Sequence, residues 1–270
     1  MSELKIVITG ASGRMGAANI KAVTKAKDMI LHAAIDRKKS KAIGKDIGLE
    51  AGLSPMNITI GDDVEKALIG ADAIIDFSVP KASIEIAKLA AKAGLIHVIG
   101  TTGFTKEEET ELHIAAKNGA RIVKSGNMSL GVNILAALVE KTAKILASDF
   151  DIEIVEMHHR HKIDAPSGTA LLLGEAAAKG RNIDLTEKSV KSRDGIIGER
   201  EVGTIGFATL RGGSVVGEHS VIFAGASERI ELTHKAQDRG LFANGAIKAV
   251  SWAKDKKQGL YSMADVLNLN

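Results

Sequence analysis

Three histidines crowd into the run Glu156-Met157-His158-His159-Arg160-His161-Lys162-Ile163-Asp164-Ala165-Pro166-Ser167-Gly168-Thr169-Ala170. Imidazole exchanges protons near neutral pH, and a lysine beside it can bind an anion or give up a proton. Pro166-Ser167-Gly168-Thr169 then has the form of a helix start, with Ser167 as N-cap and free amides that can receive a carboxylate or phosphate. Metal binding is the competing chemistry for clustered imidazoles. Adjacent strand residues point to opposite faces, however, so His158 and His159 do not easily share one ion, and Arg160 and Lys162 oppose a dication. Acid–base and anion-binding chemistry is the better reading; the plain alternative is a basic loop leading into a capped helix. His32, His97, His113, His219 and His234 are scattered and read as structural.

A second chemistry lies near the N-terminus, in Gly10-Ala11-Ser12-Gly13-Arg14-Met15-Gly16. This segment follows an apolar strand and opens a helix, the setting of a dinucleotide-binding turn. Gly10 permits the tight turn, Gly13 lets backbone approach a pyrophosphate, and Gly16 lets helix and strand pack closely. The spacing is G-x-x-G-x-x-G, so the glycines alone are compatible with a turn that holds no ligand. Asp36 strengthens the reading, since it stands about 20 residues beyond Gly16, at a strand end, where an acid accepts hydrogen bonds from an adenosine ribose. Arg37, Lys38 and Lys39 follow it, either as solvated surface or as partners for a 2′-phosphate.

These residues must be positioned by a repeating strand–helix pattern. Leu4–Thr9, Ile30–Ile35, Ile58–Ile60, Ala73–Phe77, Ile96–Ile99 and Arg121–Val123 read as strands. Gly13–Ala26, Asp62–Leu68, Ala82–Ala93 and Thr105–Asn118 read as helices, which predicts a parallel sheet with crossovers. Gly100-Thr101-Thr102-Gly103 and Ser125-Gly126-Asn127-Met128 sit at carboxyl ends of such strands, where an open sheet binds ligands; spacing alone does not separate them from ordinary loops. The rhythm then changes. Leu130–Ala147 is a long helical pattern, Asp151–Met157 a strand, Ser167–Lys179 a helix, and Gly180–Gly203 a polar stretch with few candidates for burial. Thr204–Leu210, Ser214–Phe223 and Glu228–Lys235 are separated by very short turns, which predicts two antiparallel hairpins. Helix Leu241–Lys254 closes the pattern. The expected architecture is α/β: a Rossmann-like doubly wound parallel sheet over residues 1–128, completed by 240–270, with an inserted α+β domain over 129–239.

Composition narrows the function class. The chain has 270 residues, no cysteine, 36 basic and 33 acidic side chains and only 3% aromatics. Thiolate chemistry and disulfides are excluded, and a reducing compartment is expected. Stacking platforms for single-stranded nucleic acid are scarce, and no apolar stretch is long enough to cross a bilayer. The expectation is a cytoplasmic protein with neither nucleic-acid nor membrane partners.

The motifs together resemble the dihydrodipicolinate reductase family. The carriers are GASGRMG (Gly10–Gly16), GTTGF (Gly100–Phe104), EMHHRHKIDAPSGTA (Glu156–Ala170), the run from Gly198 to Gly213 ending in GTIGFATLRGG, and VGEHSVIFAG (Val216–Gly225). The resemblance covers nearly the whole chain. It implies NADH- or NADPH-dependent reduction of a cyclic dicarboxylate derived from 4-hydroxy-tetrahydrodipicolinate, on the diaminopimelate route to lysine. It further implies an acid/base role for His158, proton donation by Lys162, and substrate contacts from His159, Gly168 and Thr169. Gly10, Ala11, Ser12, Gly13, Arg14, Met15, Asp36 and Arg37 would hold the adenosine half of the cofactor. Gly100, Thr101, Thr102, Ser125, Gly126, Asn127 and Met128 would lie near its nicotinamide. Relatives often carry an alanine- and phenylalanine-containing loop where this chain has Ser125–Met128. A homotetramer built through the inserted domain is also implied, and the antiparallel strands after Gly203 need partners for their edge and outer face. Another two-domain nicotinamide oxidoreductase, or a non-catalytic dinucleotide sensor, would account for the first half equally well. Neither gives the histidine run a role.

Overall fold

The structure, a computed structural model, describes residues 3–146 and 148–269. In chain order the first elements are β1 (Leu4–Thr9), α1 (Arg14–Lys25), β2 (Met29–Ile35), α2 (Ile47–Glu50), β3 (Ile60–Gly61), α3 (Val64–Leu68), β4 (Ala73–Asp76), α4 (Pro80–Ala93), β5 (Ile96–Ile99), α5 (Lys106–Lys117) and β6 (Arg121–Lys124). There follow α6 (Leu130–Ile145), β7 (Asp151–His158), α7 (Gly168–Arg181), α8 (Leu185–Lys188), β8 (Ser189–Val190), β9 (Ile205–Arg211), β10 (Gly217–Ala224) and β11 (Arg229–Ala236). The chain ends with α9 (Gly240–Ala253), β12 (Gly259–Tyr261) and α10 (Met263–Val266). Two compact units result: one runs to Leu130 and resumes at Arg239, the other comprises Gly131–Asp238.

In the first unit seven parallel strands take the order β12-β6-β5-β4-β1-β2-β3. The strands are apolar on both faces because helices cover both: β4 and β5 are buried along their whole length. Ile6, Ile8, Ile75 and Val98 pack on one side with α1 and α9; Val7, Ile74 and Ile99 pack on the other with α4 and α5. Strand order reverses direction between β1 and β4, so their carboxyl ends frame a crevice suited to a dinucleotide. Local sequence sets the helix limits. Pro80 opens α4 and Gly94 closes it in the left-handed conformation, while Thr105 and Glu108 form a reciprocal capping box on α5.

Three local features depart from the sequence reading. Asp46 caps a short helix, α2, between the second and third strands, where the sequence pattern predicts no element, taking amide hydrogen bonds from Gly48, Leu49, Met56 and Asn57. The expected last helix is not the last element, since β12 follows and pairs with β6. The polar stretch after Gly180 holds α8, anchored by buried Leu185, and the short strand β8. The helix expected over Leu130–Ala147 is observed to Ile145; Ala147 lies outside the described residues.

The second unit is a five-stranded sheet in the order β11-β10-β7-β9-β8, with Ile152, Ile154, Val221 and Phe223 buried with Leu173 and Ala177 of α7 and Val139 of α6. The hairpin expected between β10 and β11 is present, pairing Ala224 with Arg229. The one expected between β9 and β10 is not. Both strands flank β7 instead, β9 parallel to it and β10 antiparallel. Because β10 starts at Gly217 and not at Ser214, the link is long enough to step over the end of β7, a span of about 10 Å for two strand spacings. The link is bonded to the strand it crosses: Gly212 N donates to His158 O at 2.9 Å and His159 N to Val215 O at 2.7 Å. The histidine-bearing strand is therefore internal, held by a neighbour on each side.

Candidate active site

In the first unit the glycine turn fits a dinucleotide. Gly10 has φ of +62°, where a β-carbon would be strained, and Gly13 is the N-cap of α1. A β-carbon at Gly16 would overlap the carbonyl oxygens of Gly10 and Ala11, so only glycine lets α1 approach the turn this closely. Ala11 N donates to Ile35 O, and Ser12 N to the Asp36 carboxylate at 2.9 Å, which ties the turn to the end of β2. Partial burial acts to raise the Asp36 carboxyl, but hydrogen bonds from Ser12 and the Arg37 amide and the Arg37 charge outweigh it, and the group sits below its ordinary value. Ser12, Gly13 and Arg14 are exposed, as are Arg37, Lys38 and Lys39, while Met15 is half-buried. The exposed amides at a helix N-terminus beside an acid at the next strand end are what a pyrophosphate and ribose require.

The two further loops are built differently. Gly100 N donates to Asp76 O at 2.8 Å, and the Thr101 hydroxyl turns inward, accepting from Ser78 N and the Ser83 hydroxyl at 3.0 Å each, so Thr102 is the exposed threonine. In the other loop the Ser125 hydroxyl donates to Asn127 O and the Asn127 side chain accepts from Ser129 N, both at 2.8 Å. Gly126 is exposed at the tip. Met128 is buried in the core, its carbonyl packed against Gly245 of α9, so what it can offer a ligand nearby is backbone.

In the second unit β7 alternates buried and half-buried residues, and its last two buried positions are Glu156 and His158. His158 is buried at the end of β7, and His159, the first residue beyond the strand, is half-buried, with its ring 6.2 Å from that of His161. The His158 Nδ1 lies 2.6 Å from Glu156 Oε2. Lys162 follows in the loop, its Nζ donating to Asp164 Oδ1 at 2.8 Å. That hydrogen bond is the main cause that holds the Asp164 carboxyl below its usual range. Burial pushes the His158 imidazole down; Glu156 opposes this, while the charges of Lys162 and Arg211 add to it. Ser167 is the N-cap of α7, its hydroxyl accepting from Ala170 N at 3.1 Å, and exposed Gly168 and half-buried Thr169 form the first turn. His158, Lys162 and the α7 N-terminus are thus supplied by one strand end and the loop after it.

Three participants were not legible as such. Glu156 and Arg211 lie within the motifs Glu156–Ala170 and Gly198–Gly213, whose spacing gives neither side chain a role. His219, read as structural, packs edge-on to His158 with ring centroids 5.0 Å apart and hydrogen-bonds the Ser167 hydroxyl at 3.0 Å. Burial, with the charge of His158, pushes His219 down to about 4, so it supports the site as a neutral ring.

The chain has clear counterparts among known proteins. A family model described as dihydrodipicolinate reductase, N-terminus, matches residues 4–128, and one described as dihydrodipicolinate reductase, C-terminus, matches residues 131–267. The chain is 58% identical to the 4-hydroxy-tetrahydrodipicolinate reductase of Allorhizobium ampelinum, across 99% of both chains. It is 57% identical to that of Agrobacterium fabrum, across 100% of this chain and 98% of the other. Among solved structures, the dipicolinate-bound dihydrodipicolinate reductase from Paenisporosarcina sp. TG-14 is similar with a TM-score of 0.75 and 25% identity, covering 97% of this chain and 98% of that one. The chain belongs to the dihydrodipicolinate reductase family.

Proposed function

We propose that the protein is a 4-hydroxy-tetrahydrodipicolinate reductase, converting its substrate to tetrahydrodipicolinate and water on the diaminopimelate route to lysine with NAD(P)H. The observation that carries this is full-length identity of 58% to a curated reductase of that name, with both family models matched. When bound, the nicotinamide supplies a hydride; the remaining requirement is one proton, and water leaves. His158 and Lys162 handle that proton, and His159, Gly168 and Thr169 hold the substrate's carboxylates. In support, the His158 ring lies within the field of Lys162, and its partner Glu156 also holds the Ser167 amide at the N-terminus of α7, a setting suited to an anionic proton acceptor. The solved relative from Paenisporosarcina holds dipicolinate, a small dicarboxylate, in keeping with such a substrate here.

Gly10–Met15, Asp36 and Arg37 bind the adenosine half, and Gly100–Thr102 with Ser125–Met128 flank the nicotinamide. NADH and NADPH both serve: Asp36 suits free ribose hydroxyls, and the exposed Arg37 guanidinium can pair with a 2′-phosphate. The working form is a cytoplasmic homotetramer assembled through the second unit. Support for the assembly comes from β11, an edge strand with exposed or half-exposed residues throughout, and from exposed Leu210 and Ile230 on the same sheet. Among the described residues, no helix is long and apolar enough to cross a membrane.

The deciding assay mixes the protein with NADH or NADPH and the condensation product of pyruvate with aspartate semialdehyde, and follows nicotinamide absorbance. Substrate-dependent oxidation is expected with either cofactor. A folded protein that binds the cofactor but shows no such oxidation would reject the assignment in favour of a dinucleotide sensor.

A further inference from the structure

The carboxylate of Glu156 has almost no contact with solvent, at 1% exposure, and is surrounded by hydrogen-bond donors. Arg211 grips it with both guanidinium nitrogens, Nη1 to Oε2 at 2.7 Å and Nη2 to Oε1 at 2.9 Å. Ser167 N donates to Oε1 at 3.0 Å, the Thr209 hydroxyl to Oε1 at 3.3 Å, and His158 Nδ1 meets Oε2 at 2.6 Å. An ionised carboxylate only accepts, so the imidazole must carry its hydrogen on Nδ1. The other nitrogen, Nε2, faces Gly217, where a β-carbon would stand 3.0 Å from it; the missing side chain leaves that nitrogen uncovered on this side.

We propose that Glu156 is the positioning residue for His158: gripped by Arg211, its carboxylate accepts the Nδ1 hydrogen and leaves Nε2 as the nitrogen that exchanges a proton with substrate. This rests on the reading that His158 handles the reaction's proton, and it adds who sets the tautomer and the aim of the ring. The same carboxylate fastens the rest of the site. It holds the Ser167 amide at the mouth of α7, and Arg211 also donates to Asp164 O at 2.6 Å, in the loop that carries Lys162. One buried charge therefore aligns the proton-exchanging ring, the carboxylate-receiving helix turn and the lysine loop.

A group that only braces the fold would not control the titration of His158 with a defined sign. The titratable groups facing that ring are Glu156 on its own strand, Arg211 on β9, Lys162 in the following loop and His219 on β10. Removing the carboxylate withdraws support for the imidazolium, so Glu156→Gln should lower the His158 pKa. Removing the guanidinium leaves the carboxylate unshielded beside the ring, so Arg211→Gln should raise it. The two variants break one ion pair yet should move the ring in opposite directions.

The test is a histidine NMR titration of the full-length protein, with the His158 resonance assigned by its loss in His158→Asn, run beside steady-state kinetics. Opposite shifts are expected, with kcat of Glu156→Gln reduced roughly tenfold to a hundredfold, part of what a positioned acid or base contributes. Affinity for NADH, measured by fluorescence, should remain. Shifts of the same sign, or none, in the two variants would overturn the proposal. Should Glu156→Gln fail to fold, Arg211→Gln decides alone, because an unmoved or lowered His158 pKa in that variant contradicts a carboxylate partner. The titration reads Glu156 independently of turnover: if His158→Asn kept full kcat while both shifts appeared, the catalytic reading of His158 would fall and the pairing would stand.

Discussion

Asp76, the last residue of β4, and His97, the second of the neighbouring β5, face each other, Nε2 to Oδ2 at 3.1 Å, with both side chains wholly enclosed. The other Asp76 oxygen accepts from the hydroxyls of Thr9 at 2.7 Å and Ser78 at 2.6 Å. Ser83 and Thr101 continue the chain of hydroxyls, so this carboxylate braces the loops after β1, β4 and β5 that frame the dinucleotide crevice. Burial acts to raise its pKa, but the hydrogen bond and charge of His97, with Ser78 and Ser83, outweigh that, and the net displacement is downward.

A carboxyl held below its unfolded value stabilises the fold above that value, and the contribution disappears as pH falls through the folded value. Asp76→Asn should therefore cost about 1–3 kcal/mol at neutral pH, the price of a buried network left short of a charged partner. The deficit should shrink in acid, where the wild-type carboxyl is protonated too. Urea melts at neutral and acid pH measure both. An equal deficit at the two pH values would mean that Asp76 is not ionised in the folded protein.

Gly16→Ala tests the packing of the glycine turn. The added carbon would overlap two backbone carbonyls, which have no rotamer by which to yield, so α1 or the turn must move. Overpacking of this kind typically costs about 1–3 kcal/mol. Loss of NADH affinity should exceed what the lower stability explains, because the exposed amides of Ser12 and Gly13 move with the turn. Fluorescence titration well below the melting temperature separates the two effects.

The legible parts of the site were those encoded over short distances. The turn from Gly10 to Gly16, Asp36 at the next strand end and Ser167 before α7 each announce themselves by a local pattern, and each stands where that pattern puts it. What escaped depends on contacts across the sheet. Glu156 meets Arg211 at a sequence separation of 55, Ser167 meets His219 at 52, and Asp76 meets His97 at 21. No periodicity reports such pairs. The expected hairpin between β9 and β10 failed for the same reason: turn length limits which strands can be neighbours, but β7 had already to be placed between them to bury Ile152 and Ile154. Strand β12, with three residues, is too short for alternation to show.

Cofactor choice should turn on Arg37. It follows Asp36 directly and is exposed, with Lys38 and Lys39 beyond it. The negative charge of Asp36 opposes a 2′-phosphate, and the Arg37 guanidinium can offset that by pairing with the phosphate. Arg37→Ala should weaken NADPH roughly tenfold, about 1.4 kcal/mol, and leave NADH nearly unchanged. Parallel KM measurements check it; equal losses would show that the basic run is solvated surface.

The division of labour around β7 gives the last expectation. Hydride addition to an unsaturated acceptor builds electron density that a proton must quench, and a positioned acid or base contributes about 10²–10⁴-fold. His158 is enclosed beside Glu156 and within the field of Lys162, whereas Thr169 stands in the first turn of α7 with its amides. His158→Ala and Lys162→Ala should therefore lower kcat by factors in that range, and Lys162→Ala should also raise KM because its charge attracts the substrate's carboxylates. Thr169→Ala should chiefly raise KM, since it removes binding that ground state and transition state share. NADH affinity should survive in all three, because Gly10–Met15 and Asp36 belong to the other unit. Steady-state kinetics and fluorescence titration of the folded variants give the comparison. Near-full kcat in both His158→Ala and Lys162→Ala would mean that the proton comes from elsewhere, whatever the family.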